Sequence, residues 1–195
     1  QEAWDLLCTY TTNEGLLQHA LSVEAVMRFL AEETNGDPEE WGIIGLVHDL
    51  DWERYPDEHT SKTAEILAAA GWPQSWIRAV RSHAFGMFSD VEPQTTLEQW
   101  LYTIDELTGL VKATALMRPS RSLDDLTPKS VKKKWKDKAF AAGVDRAVIE
   151  QGAERLGVEI SSVIDLTIRG MRPVGEQIGL ARIPESGGSE AEAQS

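Results

Sequence analysis

The sequence predicts an all-α protein folded as one helical bundle, and three observations support this. Apolar residues recur every three or four positions almost throughout, which is the spacing of amphipathic helices. Valine and isoleucine never alternate with polar residues over the length of a strand. Helix-capping residues, prolines and glycines separate the periodic segments. The length of 195 residues suits a single domain with a substantial core, because a domain near this size buries roughly 70% of its unfolded surface.

Local signals bound the first four predicted helices. Asn13 is placed as the N-cap of the first helix, and Asn35-Gly36 ends it. Asp37-Pro38 is a cap followed by proline at the first helical position, so it opens the second helix. Gly71 stops the third helix and Pro73 starts the fourth. These helices are predicted at residues 14–34, 38–50, 59–70 and 73–83.

Similar signals bound the second half of the chain. Thr96 is expected to cap a long helix, and Pro119 follows its end. Thr127-Pro128 then opens a helix that carries many lysines. The four predicted helices are residues 96–117, 128–140, 145–156 and 160–177. We therefore expect one domain over residues 1–183, followed by a disordered acidic tail at 184–195, because PESGGSEAEAQS is polar, small and acidic.

Composition limits the classes of function. No apolar run reaches membrane-spanning length, so no membrane association is expected. Cys8 is the only cysteine, which excludes an internal disulfide and a thiolate zinc cluster, and favours a cytoplasmic location. Because the first residue is Gln1, we expect the natural chain to continue upstream. The sequence indicates no particular oligomeric state.

The charge is strongly negative overall but unevenly distributed. A net charge of −13 argues against a general nucleic-acid binder. Eight of the 19 lysines and arginines nevertheless lie within residues 118–138, which we call the basic segment. This segment either presents its cations to an anion or forms a solvated helix face.

The four histidines form the most informative pattern. His19, His48 and His83 fall, with Asp105, on otherwise apolar predicted helix faces, and His59 lies at a predicted helix start. Any one of them alone is best interpreted as a hydrogen-bonded core histidine. Several imidazoles and a carboxylate directed into one core would cost several kcal/mol if they were left unpaired, about 1–3 for each such group. A divalent cation satisfies all of them, since imidazole and carboxylate suit zinc, iron, manganese or nickel.

The order of these residues resembles the metal motif of a known family. His19, His48-Asp49 and Asp105 follow the pattern of the HD superfamily of metal-dependent phosphohydrolases, over roughly residues 14–117. The resemblance implies a single-domain, all-α HD-domain bundle. An isolated His-Asp dipeptide has no value as a signal, whereas the ordered set in its helical context is specific.

Two further features narrow the resemblance. His59 and His83, between the His-Asp pair and the last aspartate, resemble the extra ligands of binuclear members, which include hydrolases of dinucleoside polyphosphates and signalling-nucleotide phosphodiesterases. The stretch RPSRSLDDLTPKSVKKKWKDKAF, residues 118–140, is similar to one in a subgroup of small bacterial proteins termed predicted HD-superfamily hydrolases.

The resemblance implies a ligand set for two divalent cations, drawn from iron, manganese, zinc, nickel and magnesium. The first cation is held by His19, His48, Asp49 and Asp105. Asp49 bridges to the second, which His59 and His83 hold. Two such cations can share a bridging water, lower its pKa and bind a phosphoryl group for in-line attack. Asp49 is therefore expected to be catalytic as well as metal-binding.

The sequence departs from the family after the His-Asp pair. A lysine often follows the pair in the family, but here the next residues are Leu50-Asp51-Trp52. Lys62 is the candidate replacement, because it lies three residues after His59, on the same face if that stretch is helical. It would then bind substrate phosphate and take part in catalysis. The other interpretation of Lys62 is an ion pair on the helix surface.

Other side chains are candidates for secondary roles. Arg118 and Arg121, which follow the helix that bears Asp105, are expected to bind phosphate. Trp52 is placed near the substrate. Asp51 is expected to be a solvent-exposed carboxylate at a helix end, with orientation of a ligand histidine as the alternative.

The predicted function is hydrolysis of a phosphoester or phosphoanhydride in a small phosphorylated metabolite, in particular a nucleotide, by metal-activated water. One alternative is an HD-type di-iron oxygenase, because imidazole and carboxylate ligands also suit redox-active iron. A second is a non-catalytic signalling module that binds metal and keeps the fold. Degenerate members typically lose ligands, whereas this chain has the full set.

Overall fold

Nine α-helices and two short 3₁₀ helices make up residues 1–183, the part of the chain that this computed structural model describes. The expected tail at 184–195 lies outside the described residues. The α-helices are α1 Glu2–Tyr10, α2 Glu14–Thr34, α3 Pro38–Val47, α4 Ser61–Ala69, α5 Gln74–Ser82, α6 Thr96–Leu116, α7 Pro128–Trp135, α8 Arg146–Leu156 and α9 Ile160–Met171. Within these residues there is no strand beyond two isolated bridges, so the all-α prediction is confirmed.

The two longest helices, α2 and α6, contact each other and organise the bundle. Helix α2 packs mainly against α3 and α9, whereas α6 packs mainly against α8 and α2, and to a lesser extent against α9. The apolar stripe predicted for α2 is buried, with Val23, Val26 and Leu30 fully inaccessible to solvent. Leu101 and Ile104 fill the corresponding face of α6. Each polar residue on these two stripes is therefore directed into the protein.

Side-chain caps set the helix starts close to the predicted positions. The Asn13 side chain accepts a hydrogen bond from the Leu16 N–H, and Asp37 caps α3 in the same way. Helix α6 begins at Thr96, the start of the predicted range, but its N-cap is Thr95, one residue before the predicted cap. Thr95 and Glu98 form a reciprocal capping box.

The segment between α3 and α4 differs most from the prediction. Helix α3 ends at Val47 rather than Leu50, and turns follow. Helix α4 begins at Ser61 rather than His59, because His59 is extended (φ −51°, ψ 141°) and Thr60 has a positive φ of 64°. Such a φ is an outlier for a β-branched residue, so the chain turns sharply at this point. His59 consequently projects from the loop and not from a helix face.

Three other elements differ in extent. Helix α1 was not predicted, and it contributes Ala3 and Leu7 to the core. Helix α7 ends at Trp135, five residues short of the predicted Phe140. Helix α9 ends at Met171 and continues as a 3₁₀ turn over Arg172–Val174. No helix of the described residues is long and apolar enough to cross a bilayer.

Candidate metal centre

The six residues predicted as metal ligands meet at one place, although they come from five separate parts of the chain. His19 lies on α2 and Asp105 on α6, while His48 and Asp49 follow the end of α3. His59 precedes α4, and His83 directly follows α5. Five of the six line a pocket of about 200 Å³, and His48 lies fully buried behind it. The predicted ligand residues therefore form one cluster.

One group of donor atoms consists of two imidazoles and a carboxylate. The Nε2 atoms of His19 and His48 are 3.2 Å apart. Asp105 Oδ1 lies 2.9 Å from the Nε2 of His19 and 3.2 Å from that of His48. The three donors thus surround a common point.

A second group lies beside the first, and Asp49 faces both. The Nε2 atoms of His59 and His83 are 3.2 Å apart. Asp49 Oδ1 lies 3.5 Å from the His59 nitrogen and 3.3 Å from the His83 nitrogen. Its other oxygen, Oδ2, lies 3.7 Å from His19 Nε2 and 3.5 Å from His48 Nε2. The two oxygens of one carboxylate are therefore directed to different histidine pairs.

The protein fixes the orientation of all four rings through their Nδ1 atoms. His48 Nδ1 donates to the Gly45 carbonyl at 2.7 Å, and His83 Nδ1 donates to the Val80 carbonyl at 2.5 Å. His59 Nδ1 donates to Asp51 Oδ1 at 2.7 Å.

His19 Nδ1 lies 3.3 Å from the Thr108 hydroxyl, which itself donates to the Asp105 carbonyl. Since each of the four Nδ1 atoms has a protein acceptor, each Nε2 presents a lone pair to the cluster when the ring is neutral. Metal-binding histidines are held in this way.

The spacing of the donors fits cations of ordinary size. With bonds of about 2.0–2.1 Å, ligand atoms around a tetrahedral or octahedral ion lie about 3.0–3.4 Å from each other. Donor separations within the two groups are between 2.9 and 3.5 Å. His48, Asp49 and His83 also offer atoms within 4.8 Å of one another. Nitrogen and carboxylate oxygen together suit divalent transition metals.

Buried charges perturb the ionisable groups of the cluster. Burial alone would lower the pKa of His48, but the carboxylates of Asp49 and Asp105 raise it to about 9. Burial would raise the pKa of both carboxyls, yet the neighbouring histidines hold them well below their usual range. In the metal-free protein, His48 therefore carries a proton at neutral pH. A cation that binds there displaces this proton.

Asp51 supports His59 from behind, so the expectation of a solvent-exposed carboxylate was wrong. Its side chain is completely buried. Oδ1 accepts from His59, and Oδ2 accepts from the backbone N–H of Thr63 at 2.8 Å. The turn that ends α3 brings Asp51 back toward the protein interior. The alternative considered from the sequence, orientation of a histidine, matches this position.

The remaining pocket wall is largely apolar and was mostly not identified from the sequence. Trp52 was expected near the substrate, and it does line the pocket. The residues without a sequence signal are Ala84, Met87, Phe88, Glu106, Gly109 and Val144. Glu106 accepts from the Asp145 N–H at 3.2 Å, and burial and then the charge of Asp105 raise its pKa to about 7.

Lys62, proposed from the sequence as a phosphate ligand, does not line the pocket. Its ammonium lies 2.6 Å from Glu65 and 3.7 Å from Glu58. Helical spacing does not relate Lys62 to His59, because α4 begins after His59 and the two side chains do not share a helix face. The surface ion pair, the other interpretation, describes the observed contacts.

Arg118 and Arg121 also lie outside the pocket wall. The Arg118 guanidinium pairs with Asp125 at 2.5 Å and donates to the Ser130 hydroxyl. Arg121 is exposed and has a positive φ of 50° in the turn after α6. The chain turns away from the cluster here, so proximity in sequence to Asp105 does not become proximity in space. Neither guanidinium lines the pocket, and phosphate binding by these two arginines stays a prediction.

The fold and the cluster define a class: an all-α protein with a histidine–aspartate centre suited to divalent cations. Residues 16–110 match the family model described as "HD domain". Residues 16–110 therefore form a domain of the HD superfamily, whose domains bind divalent metals and act mostly as metal-dependent phosphohydrolases. Comparisons with curated proteins and with solved structures gave no match. The matched residues contain all six residues of the cluster.

Proposed function

We propose that this protein is a metal-dependent phosphohydrolase that cleaves a phosphoester or phosphoanhydride bond in a small phosphorylated metabolite such as a nucleotide. The observation that carries the proposal is the orientation of the four imidazoles. Each Nδ1 is bound by the protein, and each Nε2 is turned toward Asp49 or Asp105. A core that only had to satisfy single histidines would not need to direct four Nε2 atoms toward one another and toward two carboxylates at one place.

The proposed ligands divide into two sets. His19, His48 and Asp105 hold one cation, and His59 and His83 hold the other. Asp49 serves both, because its two oxygens face different histidine pairs. Two divalent cations, when bound, supply a water of lowered pKa and neutralise the oxygens of the phosphoryl group.

The chain's own residues supply orientation and exclusion of water. Asp51 holds the His59 ring through Nδ1, and the Gly45 carbonyl does the same for His48. Trp52 and Val144 give the pocket apolar walls, which strengthen electrostatic interactions inside it. The arrangement is therefore preorganised before a substrate binds.

The proposal is tested by metal analysis of freshly purified protein, followed by a panel of phosphorylated metabolites assayed with added manganese, zinc or iron. We expect about two metals per chain and release of inorganic phosphate with and without oxygen. Loss of substrate only in the presence of oxygen and iron would instead support an oxygenase. Stoichiometric metal without turnover of any compound would favour a binding module.

A further inference from the structure

The mouth of the candidate metal centre carries an exposed apolar surface. Phe88 and Met87 are 47% and 42% accessible to solvent, although large apolar side chains are usually buried. Both line the pocket together with Trp52. The rings of Trp52 and Phe88 contact each other edge to face, with centroids 5.7 Å apart. Both rings also contact His59, so this surface adjoins the proposed ligands directly.

The same pocket is poor in positive charge. Among the described residues that line it there is no lysine or arginine. Asp49, Asp105 and Glu106 line it, and Asp51 lies directly behind His59. A substrate with several phosphates would therefore bring negative charge that no side chain of the wall neutralises.

The size of the pocket places the substrate's body at the mouth. Sites for drug-sized ligands typically enclose roughly 300–1,000 Å³. This pocket encloses about 200 Å³. This volume suits a phosphoryl group, so the body of a larger substrate extends to the mouth. Trp52, Met87 and Phe88 offer the exposed apolar surface there.

We propose that the centre selects substrates with a single phosphoryl group on an apolar or aromatic body, and that Trp52 and Phe88 bind this body. The inference rests on the proposed function. It assigns Phe88 as a specificity residue and excludes polyphosphates as preferred substrates. Recognition of a polyphosphate requires basic side chains, which this pocket wall lacks. Contact of the aromatic rings with the body of the substrate supplies the affinity instead.

The apolar part of the inference is tested by binding, without turnover. Calorimetry on the metal-loaded protein compares benzylphosphonate with methylphosphonate, which differ only in the phenyl ring. We expect benzylphosphonate to bind about tenfold more tightly or better, and Phe88→Ala to remove most of this advantage. Met117→Ala is the matched control, because Met117 is 65% exposed but lies outside the pocket. Equal affinity of the two phosphonates, or no binding of either, overturns the inference.

The charge part is tested by kcat/KM for adenosine monophosphate and adenosine triphosphate, which share one body. We expect a preference for the monophosphate of about tenfold or more. Gly109→Lys adds a cation to the pocket wall, where a Cβ would meet only Val144, at an ordinary contact distance of 3.6 Å. This variant should shift the preference toward the triphosphate by about tenfold. Gly143→Lys, at an exposed position where a Cβ meets nothing within 4 Å, should leave the ratio unchanged.

These experiments separate a failure of the phosphohydrolase proposal from a failure of the proposed selectivity. If neither nucleotide nor any other ester is hydrolysed, the phosphohydrolase proposal fails, while the phosphonate affinities still decide whether the apolar surface recognises a body. If phosphate is released but the triphosphate is preferred by the unmodified protein, the proposed function stands and the selectivity for one phosphoryl group is wrong.

Discussion

The sequence indicated two candidate functional regions, the histidine–aspartate cluster and the basic segment at 118–138. The fold buries the first and leaves the second at the surface. The cluster gathers residues from five parts of the chain into one buried place. The basic segment remains at the surface, where Lys132 and Lys133 are exposed and Arg118 pairs with Asp125. The difference lies in the cost of burial. An imidazole on an apolar face must find a partner, whereas a surface lysine is already satisfied by water.

The largest effect is expected from Asp49→Ala. Each oxygen of Asp49 faces a different histidine pair, so the substitution should weaken binding of both cations. The metal content should fall from about two per chain to well below one, and activity should be abolished. Elemental analysis and phosphate release measure this. Asp57→Ala, at an exposed aspartate in the following loop, is the control. Stoichiometric metal and normal turnover in Asp49→Ala would contradict the assignment of the whole cluster.

The double variant His59→Ala/His83→Ala separates a binuclear from a mononuclear centre. We expect metal content to fall from about two to one and kcat to fall by orders of magnitude, while the fold survives on the first cation and the core. His19→Ala is the complementary variant, since it removes a ligand of the first cation. Unchanged metal content in the double variant would show that only one cation belongs to this centre.

Asp51→Asn tests whether the carboxylate that holds the His59 ring contributes to the affinity for the second metal. The change keeps the shape of the side chain but removes the charge that accepts from the His59 ring. Affinity for the second metal should fall by about 10–100-fold, while the first stays bound. Titration with a competing chelator gives both affinities, and a melting curve separates this effect from unfolding. Asp57→Asn should change neither affinity.

The smallest effects are expected outside the cluster. Lys62→Ala and Arg118→Ala should leave metal content unchanged and kcat/KM within about twofold, because their partners are Glu65 and Asp125 and not the pocket. Steady-state kinetics on a substrate found with the metabolite panel decide this. A raised KM with full metal occupancy would show that these side chains do contribute to phosphate binding, as the sequence predicted.

Local signals predicted the fold well where periodicity and caps were both present. Helices α2, α3 and α6 have long apolar stripes and side-chain caps, and their starts were predicted to within one residue. Helix α1 buries only Ala3 and Leu7 and has no side-chain cap, so its local pattern is weak. Its position depends on packing against α3, which the sequence does not display.

The site was predictable in its ligands but not in its walls. Each histidine alone is compatible with an ordinary core position, but four histidines and two aspartates in one ordered pattern can be recognised as a set. Phe88, Met87 and Glu106 are ordinary residues in ordinary local sequence, and only the tertiary arrangement brings them to the pocket. Lys62 was predicted near the pocket because helical spacing would place it on the same face as His59. The positive φ of Thr60 starts the helix after His59, so this spacing does not apply.

The divided orientation of Asp49 has a thermodynamic consequence. If one carboxylate serves two cations, the two binding events are linked, and each cation changes the affinity of the other by the same factor. The binding isotherm should then depart from that of two independent sites. A substitution confined to His59 or His83 should also alter the affinity at His19 and Asp105. Affinities measured for either half therefore describe the pair, and they change with the metal that occupies the other half.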